Sequence, residues 1–327
     1  MPKHPRRRYW IGFDLGATKM MACVFDDDFK LHGSRRRKTR PSDGKEPPLR
    51  RIADTIEQAL EAADVGLERV AGIGFGTPGP LDLDQGALLN APNLPWGRLP
   101  LQRAMAKRFK RPVAVINDVD AGTYGEYVSG AARRARCAVG IFPGTGIGGG
   151  CVYEGCILRG RKLSCLEIGH IQVQPNGPLC GCGQRGCLEA VASRIAIAQA
   201  AAAAALRGEA PHLLQNAGAD LAAIRSSALA EAIAAGDQVV ENIVRDAARW
   251  LGIGIATVIS LLAPDVVVLG GGLVEAMPNL FLTESESAAR ARVMPVFRRG
   301  FRLTTAQLGD QATALGAAAW ARQVHAP

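Results

Sequence analysis

The residues of this chain best placed to do chemistry lie between Glu167 and Glu189, in E-I-G-H-I-Q-V-Q-P-N-G-P-L-C-G-C-G-Q-R-G-C-L-E. One imidazole, His170, and three thiols, Cys180, Cys182 and Cys187, form a ligand set that suits Zn²⁺, which takes four N or S donors tetrahedrally. Gly181, Gly183 and Gly186 stand between and beside the cysteines. Glycine tolerates the positive φ values a short loop needs to turn three sulfurs toward one point. Four protein donors leave no open position, so such an ion is structural rather than catalytic. The alternative is three buried, inert cysteines beside an unrelated histidine. Three thiols within eight residues of turn-forming sequence argue against it.

Two acids flank that loop: Glu167 is three residues before His170, and Glu189 is two after Cys187. A metal that holds the loop also holds these carboxylates in fixed positions. A metal-bound imidazole keeps one N–H with which to touch a ligand. Taken singly, each glutamate could be solvated or salt-bridged. Beside a metal knot, they point to a ligand site.

The elements that position these groups read as an α/β pattern. Tyr9–Phe13 is a strand, Asp14-Leu15-Gly16-Ala17-Thr18-Lys19 a tight turn, and Met20–Phe25 a returning strand. Backbone N–H groups of such a turn can grip phosphate, and Asp14 would face the Mg²⁺ of a nucleotide through water; an ordinary hairpin reads the same way. Ile52–Ala63 has helical spacing and Ala71–Phe75 is a strand. Asn90-Ala91-Pro92-Asn93-Leu94-Pro95-Trp96 is a rigid loop whose amides and indole suit a hydroxyl-rich ligand, although loops also use Asn and Pro for geometry. Pro112–Ile116 delivers Asn117-Asp118 at a strand end, before a helix over Ala121–Val128. Asp118 reads either as the helix N-cap or as a general base where open α/β sheets place their ligands.

Cys137–Phe142 is a further strand, and Gly144-Thr145-Gly146-Ile147-Gly148-Gly149-Gly150 follows it, five glycines in seven residues. Anion cradling by backbone is the usual use of such a run. A dinucleotide fingerprint would need a helix next, whereas Val152-Tyr153 continues as a strand. One alanine-rich helix is expected over Ala190–Leu206, with more over Leu229–Ala234, Val239–Leu262 and Ala312–Val324. A strand over Asp265–Leu269 ends in Gly270-Gly271-Gly272.

The chain has 327 residues, a length that favours two domains, with 48% hydrophobic residues and a formal charge of +9. Basic clusters occur at Lys3–Arg8 and Arg35–Arg40. They lack interleaved aromatics or a nucleic-acid motif, so a solvated surface is favoured over polyanion binding. The five cysteines outside the metal loop fall mainly in apolar runs, which fits a reducing cytosol. No signal peptide is indicated, and Leu251–Ala263 is short of the roughly 20 residues that span a bilayer. The expected protein is soluble and cytoplasmic, with no membrane or nucleic-acid partner.

Taken together, these features resemble the ROK family, the sugar kinases and related repressors of the actin-like ATPase superfamily. The resemblance covers nearly the whole chain. Its most specific element is C-x-C-G-x-x-G-C-x-E at Cys180–Glu189, with E-x-G-H upstream at Glu167–His170. It implies an actin-like (ribonuclease H-like) α/β fold of two domains with a cleft between them. Residues 1–128 would form the smaller domain, with helix 312–327 packed back on it, and residues 129–311 the larger. It further implies ATP, Mg²⁺ and structural Zn²⁺, and assembly as a homodimer or homotetramer. Asp14, Gly16, Thr18 and Lys19 would form the first phosphate turn and Gly144, Thr145, Gly146 and Gly148 the second. Gly270, Gly271 and Gly272 would lie against adenosine. Asp118 would be the catalytic base, and Asn93, Asn117, Glu167, His170 and Glu189 would contact sugar hydroxyls. Ala17 stands where many relatives have glycine.

Family repressors carry a DNA-binding domain before the first turn, and 13 residues precede Asp14 here; a kinase is therefore expected, with a non-catalytic sugar-binding regulator as the alternative. Glucose phosphorylated at its 6-hydroxyl is the leading substrate. N-acetylmannosamine, N-acetylglucosamine, mannose and fructose share most of its contacts, and polyphosphate is a conceivable donor. On this reading Gly146→Val weakens ATP binding alone, and loss of zinc weakens sugar binding before nucleotide binding.

Overall fold

The structure, a computed structural model, describes residues 8–39, 47–91 and 94–326. By contacts the chain divides into two compact units, Met1–Arg134 with Gly150–Cys165 and Gln307–Pro327, and Ala135–Gly149 with Leu166–Ala306.

In the first unit, β1 (Tyr9–Leu15), β2 (Lys19–Asp26) and β3 (Leu31–Lys38) form an antiparallel meander. Helix α1 (Pro48–Ala63) then leads to β4 (Val70–Thr77), which lies parallel to β1 on its other side. A small hairpin, β5 (Leu81–Asp82) and β6 (Ala87–Leu88), and helix α2 (Leu101–Phe109) precede β7 (Val113–Asn117). The sheet order is β3-β2-β1-β4-β7. Its inner strands β1, β2 and β4 are apolar on both faces because both are covered, whereas edge strand β3 is largely exposed. Tyr9, Ile11, Phe13 and Leu15 bury with α1 residues Ile52 and Ile56 and α2 residues Leu101 and Met105. Trp10 points the other way, into a cluster with residues of α3 (Asp118–Ser129) and α11 (Ala312–His325).

The chain needs small residues where α11 crosses this sheet. A Cβ on Gly12 would stand 1.8 Å from the Ala314 carbonyl oxygen, and one on Gly74 would stand 1.8 Å from that of Ala317. Backbone meets backbone there, so no rotamer change relieves the clash. Gly74→Ala is expected to destabilise the protein by roughly 1–3 kcal/mol or more, the range for overpacking. A thermal melt indistinguishable from wild type would reject this close contact.

In the second unit, β8 (Cys137–Pro143), β11 (Val266–Leu269) and β12 (Arg302–Thr305) run parallel, with β11 in the middle. Strand β9 (Ile147–Tyr153) starts inside the glycine run and passes into the first unit, where it turns into β10 (Cys156–Ile157). The remaining elements are helical: α4 (Leu188–Ala192), α5 (Arg194–Leu206), α6 (Pro211–Ala217), α7 (Ser226–Ala234), α8 (Gln238–Leu262), α9 (Gly272–Ala276) and α10 (Pro278–Arg292).

Two expectations need correction. The boundary expected after residue 128 falls after Arg134 by contacts, and Gly150–Cys165 belongs with the first unit. The reason is burial: Val152 and Ile157 pack with Trp10, Met21 and Ala314. The single helix expected over Ala190–Leu206 is two, because Ser193 is extended and its hydroxyl accepts the Ala196 N–H at 3.3 Å as a new N-cap. The basic run from Arg35 is solvated surface as expected: its described part lies on edge strand β3, where Arg35, Arg36 and Lys38 are exposed and guard an open row of backbone groups. Elements β3, β5, β6, β10, β12, α2, α6, α9 and α10 were not foreseen.

Candidate active site

Strand register brings the acids of the first unit together. Asp14, near the end of β1, pairs with Gly76 of β4, and Thr77 pairs with Asn117 at the end of β7. Asp118 follows at once, so two carboxylates stand at the C-terminal ends of β1 and β7 with β4 between them. Gly76 is glycine because α3 and α11 press on this strand end: a Cβ there would lie 2.5 Å from Thr313 Cγ2 and 3.0 Å from Ala121 Cβ.

The helix cap is Asn117, not Asp118. The Asn117 Oδ1 accepts the Val119 N–H at 2.9 Å and the Asp120 N–H at 3.4 Å. Asp118 is the first helical residue, and its Oδ1 also accepts the Val119 N–H at 2.9 Å. A carboxylate in a first helical turn is favoured by the helix dipole.

The first turn is braced from behind. The Gly16 N–H donates to the Lys19 carbonyl at 2.9 Å. Thr39 donates its N–H to the Thr18 carbonyl at 2.9 Å and its hydroxyl to the Gly16 carbonyl at 2.7 Å. Lys19 Nζ lies 2.7 Å from Asp310 Oδ1, and Arg36 Nη2 lies 2.6 Å from Asp310 Oδ2. Sequence reasoning missed Thr39, Arg36 and Asp310, since no local pattern links residue 310 to residue 19.

Burial, and then the nearby Asp118 carboxylate, push the Asp14 carboxyl up from 3.8 to about 7, against the pull of Lys19. The folded state therefore holds a proton that the unfolded chain releases above about pH 4. Wild-type stability falls as pH rises through that window and levels off above pH 7. Asp14→Asn removes this penalty. Its Tm, measured without nucleotide or Mg²⁺, is expected to match wild type near pH 4 and to exceed it increasingly toward pH 8. A difference that does not change with pH would sink the assignment.

In the second unit, the Gly144 N–H donates to the Gly146 carbonyl at 2.8 Å, closing the second turn. Thr145 is exposed at its tip. Gly270 is crowded by the Phe142 ring, with a Cβ position 2.7 Å from ring carbons. Gly271 has φ +81°, and its Cβ would lie 2.8 Å from the Pro143 carbonyl oxygen; both the backbone conformation and the space require glycine. Gly272, exposed at the start of α9, meets no such crowding.

The metal loop folds as its spacing suggested. The donor atoms of His170, Cys180, Cys182 and Cys187 all lie within 4.8 Å of one another, among the described residues. Cys182 Sγ is 3.7 Å from Cys187 Sγ, and Cys180 Sγ is 3.7 Å from His170 Nδ1. Gly183 and Gly186 take φ +88° and +74°, and the Gly186 Cβ position is 1.7 Å from the Gln174 carbonyl oxygen; Gly181 does not adopt positive φ. Glu167 and His170 are exposed on one short 3₁₀ turn. Glu189 opens α4, and a cavity of about 310 Å³ is walled by Thr145, Cys180, Glu189 and Ser193. Metal loop, second turn and the start of α5 thus share one hollow. Asn93 lies outside the described residues.

The expected reason for Gly146 is incomplete. A Cβ there would stand 2.3 Å from Glu189 Oε2, so Gly146→Val would displace a carboxylate of the expected sugar set as well as the turn. An effect confined to ATP is no longer expected.

A model of the ROK family matches residues 10–324, and the chain belongs to that family. The fold is accordingly α/β, the actin-like ATPase fold of two domains. The chain is 36% identical over 309 residues to a glucokinase of Thermotoga maritima, covering 94% of this chain and 95% of that one. It resembles the crystal structure of a ROK family glucokinase from Streptomyces griseus in complex with glucose and AMPPNP, at 34% identity and TM-score 0.81, over 96% of this chain and 99% of that one. A putative xylose repressor of Caldicellulosiruptor is 31% identical over 312 residues, 94% of this chain and 77% of the repressor. No helix among the described residues is long and apolar enough to cross a membrane.

Proposed function

We propose that the chain is an ATP-dependent glucokinase, transferring the γ-phosphoryl group of ATP to the 6-hydroxyl of glucose. The observation that carries this reading is the Asp14–Asp118 pair at the ends of β1 and β7, on either side of β4, with Asp118 in a helix start already capped by Asn117. A regulator that only binds sugar has no need of a second carboxylate there, which favours the kinase over the repressor-like reading.

Asp118 accepts the proton as the sugar oxygen attacks. The O–H bond breaks toward Asp118, the oxygen–phosphorus bond forms, and the bond to the β-phosphate oxygen breaks to release ADP. The turns at Gly16–Lys19 and Gly144–Gly148 supply backbone N–H groups to the phosphates, with Lys19 and Thr18 beside the first and Thr145 on the second. Gly270–Gly272 would lie against adenosine, with Gly270 and Gly271 held tight against Phe142 and Pro143 behind them. Asn93, Asn117, Glu167, His170 and Glu189 orient the sugar, since positioning contributes much of the rate in phosphoryl transfer. Asp14 fits a Mg²⁺ held through water, an ion that neutralises charge on the phosphates.

The four-donor cluster fits Zn²⁺. Metal–ligand bonds of about 2.1–2.3 Å give a tetrahedron with edges of about 3.4–3.8 Å; two donor separations are 3.7 Å and all four donors lie within 4.8 Å of one another, close enough to draw in around an ion. His170 would bind through Nδ1 and keep Nε2 for the sugar. ATP as donor places the reaction in the cytoplasm, and a homodimer or homotetramer is the assembly the family suggests. The test is a coupled assay with ATP and with polyphosphate over glucose, mannose, fructose, N-acetylmannosamine and N-acetylglucosamine. Glucose turned over with the highest kcat/KM, on ATP, supports the reading; turnover of none refutes it.

A further inference from the structure

Glu189 follows the last metal-loop cysteine by two residues, yet its carboxylate is committed elsewhere. Its Oε2 accepts the N–H of Ile147, 42 residues earlier, at 2.8 Å. That N–H opens β9 at the end of the second glycine turn, and Ile147 is buried. The same turn is held again from the start of α5. The Arg194 N–H donates to the Gly144 carbonyl at 2.8 Å, and its Nη2 to Thr145 Oγ1 at 3.2 Å. Ser193 joins the two anchors, donating its N–H to the Glu189 carbonyl at 3.2 Å. The neighbour of His170 also touches this turn: a Cβ on Gly169 would lie 2.3 Å from the Ile147 carbonyl oxygen.

We propose that Glu189 is a positioning residue for the second glycine turn, so that the metal loop governs nucleotide affinity as well as standing beside the sugar. The proposal rests on the kinase reading for what the turn holds. Its physical basis is preorganisation. Donors already fixed in direction lose little freedom when an anion arrives, and so bind it more tightly. The carboxylate of Glu189 fixes the last N–H of the turn, and Arg194 fixes its first carbonyl and its tip. Removing the carboxylate leaves a buried N–H without its partner, and the turn must shift to find another. Glutamine keeps an acceptor oxygen at the same reach, whereas aspartate, one methylene shorter, withdraws it.

Calorimetric titration with the Mg²⁺ complex of AMPPNP, in the absence of sugar, separates this role from a sugar contact. Glu189→Ala and Glu189→Asp are expected to raise Kd at least about fivefold, and Glu189→Gln to stay within about twofold of wild type, as loss of the hydrogen bond from the Ile147 N–H, or its retention on a neutral amide oxygen, dictates. Hydrogen exchange at the Ile147 amide should accelerate in the first two variants and not in the third. Unchanged nucleotide affinity and unchanged exchange in Glu189→Ala and Glu189→Asp would overturn the proposal. Exchange needs no ligand: accelerated exchange in a protein whose wild type ignores AMPPNP would reject the kinase reading and leave the positioning role standing. Should Glu189→Ala fail to fold, Glu189→Asp decides.

Discussion

Asp118→Asn is expected to lower kcat by roughly 10² to 10⁴, the usual contribution of a general base, while sugar and nucleotide affinities and Tm stay near wild type. The structure makes this test clean. Capping of α3 rests on Asn117, whose Oδ1 accepts two backbone N–H groups. An asparagine at 118 keeps an oxygen for the Val119 N–H and almost the same volume. It loses only the ability to take a proton and the charge that helps raise the Asp14 carboxyl. A loss below about tenfold would mean that Asp118 is not the base. A large loss accompanied by a collapsed Tm would instead assign it to the fold.

Cys182→Ser, or removal of the metal with a strong chelator, is expected to abolish sugar binding and to lower Tm. With four protein donors the ion has no open position, so its effect on a ligand must pass through geometry. It fixes His170 and, by adjacency, Glu167 and Glu189. Without a cation, burial pushes the Cys187 thiol up to about 12, so the loop loses a thiolate ligand along with its centre. Part of the binding free energy of such an ion is folding free energy, which accounts for the loss in Tm. Nucleotide affinity should fall as well, but less, because it is linked through the single Glu189–Ile147 hydrogen bond. Calorimetry on metal-free, still-folded protein measures both affinities. Unchanged sugar affinity would reduce the loop to a staple and remove Glu167, His170 and Glu189 from the sugar set.

What was legible in the sequence was whatever has a local cause. The turn after Asp14 shows because two apolar strands flank it, and the metal loop shows because its ligands are packed into one short stretch. The missed elements have distant causes. Strand β3, L-H-G-S-R-R-R-K, has no apolar alternation to betray it; it is an edge strand paired with β2 alone. The break at Ser193 hides in a run of helix formers, and only the extended backbone there gives it away. Asn117 and Asp118 are equally good caps on paper, and the strand register decides between them. Asp310 reaches Lys19 across 291 residues, and Glu189 reaches Ile147 across 42. Contacts of that span leave no periodic trace.

The two glycines under α11 also set a timetable for synthesis. Gly12 leaves the ribosome 302 residues before Ala314, whose carbonyl it must meet (314 − 12). At about 5–20 residues per second, translation leaves that face of the first sheet waiting roughly 15–60 s for its cover. The second unit's last segment ends at Ala306, only six residues before α11 begins (312 − 306), so neither unit is complete until the chain is nearly finished. A bare apolar sheet face on a stalled chain is the place where a chaperone would act, and a released chain ending before residue 312 should be far more protease-sensitive in its first 130 residues than the full-length protein.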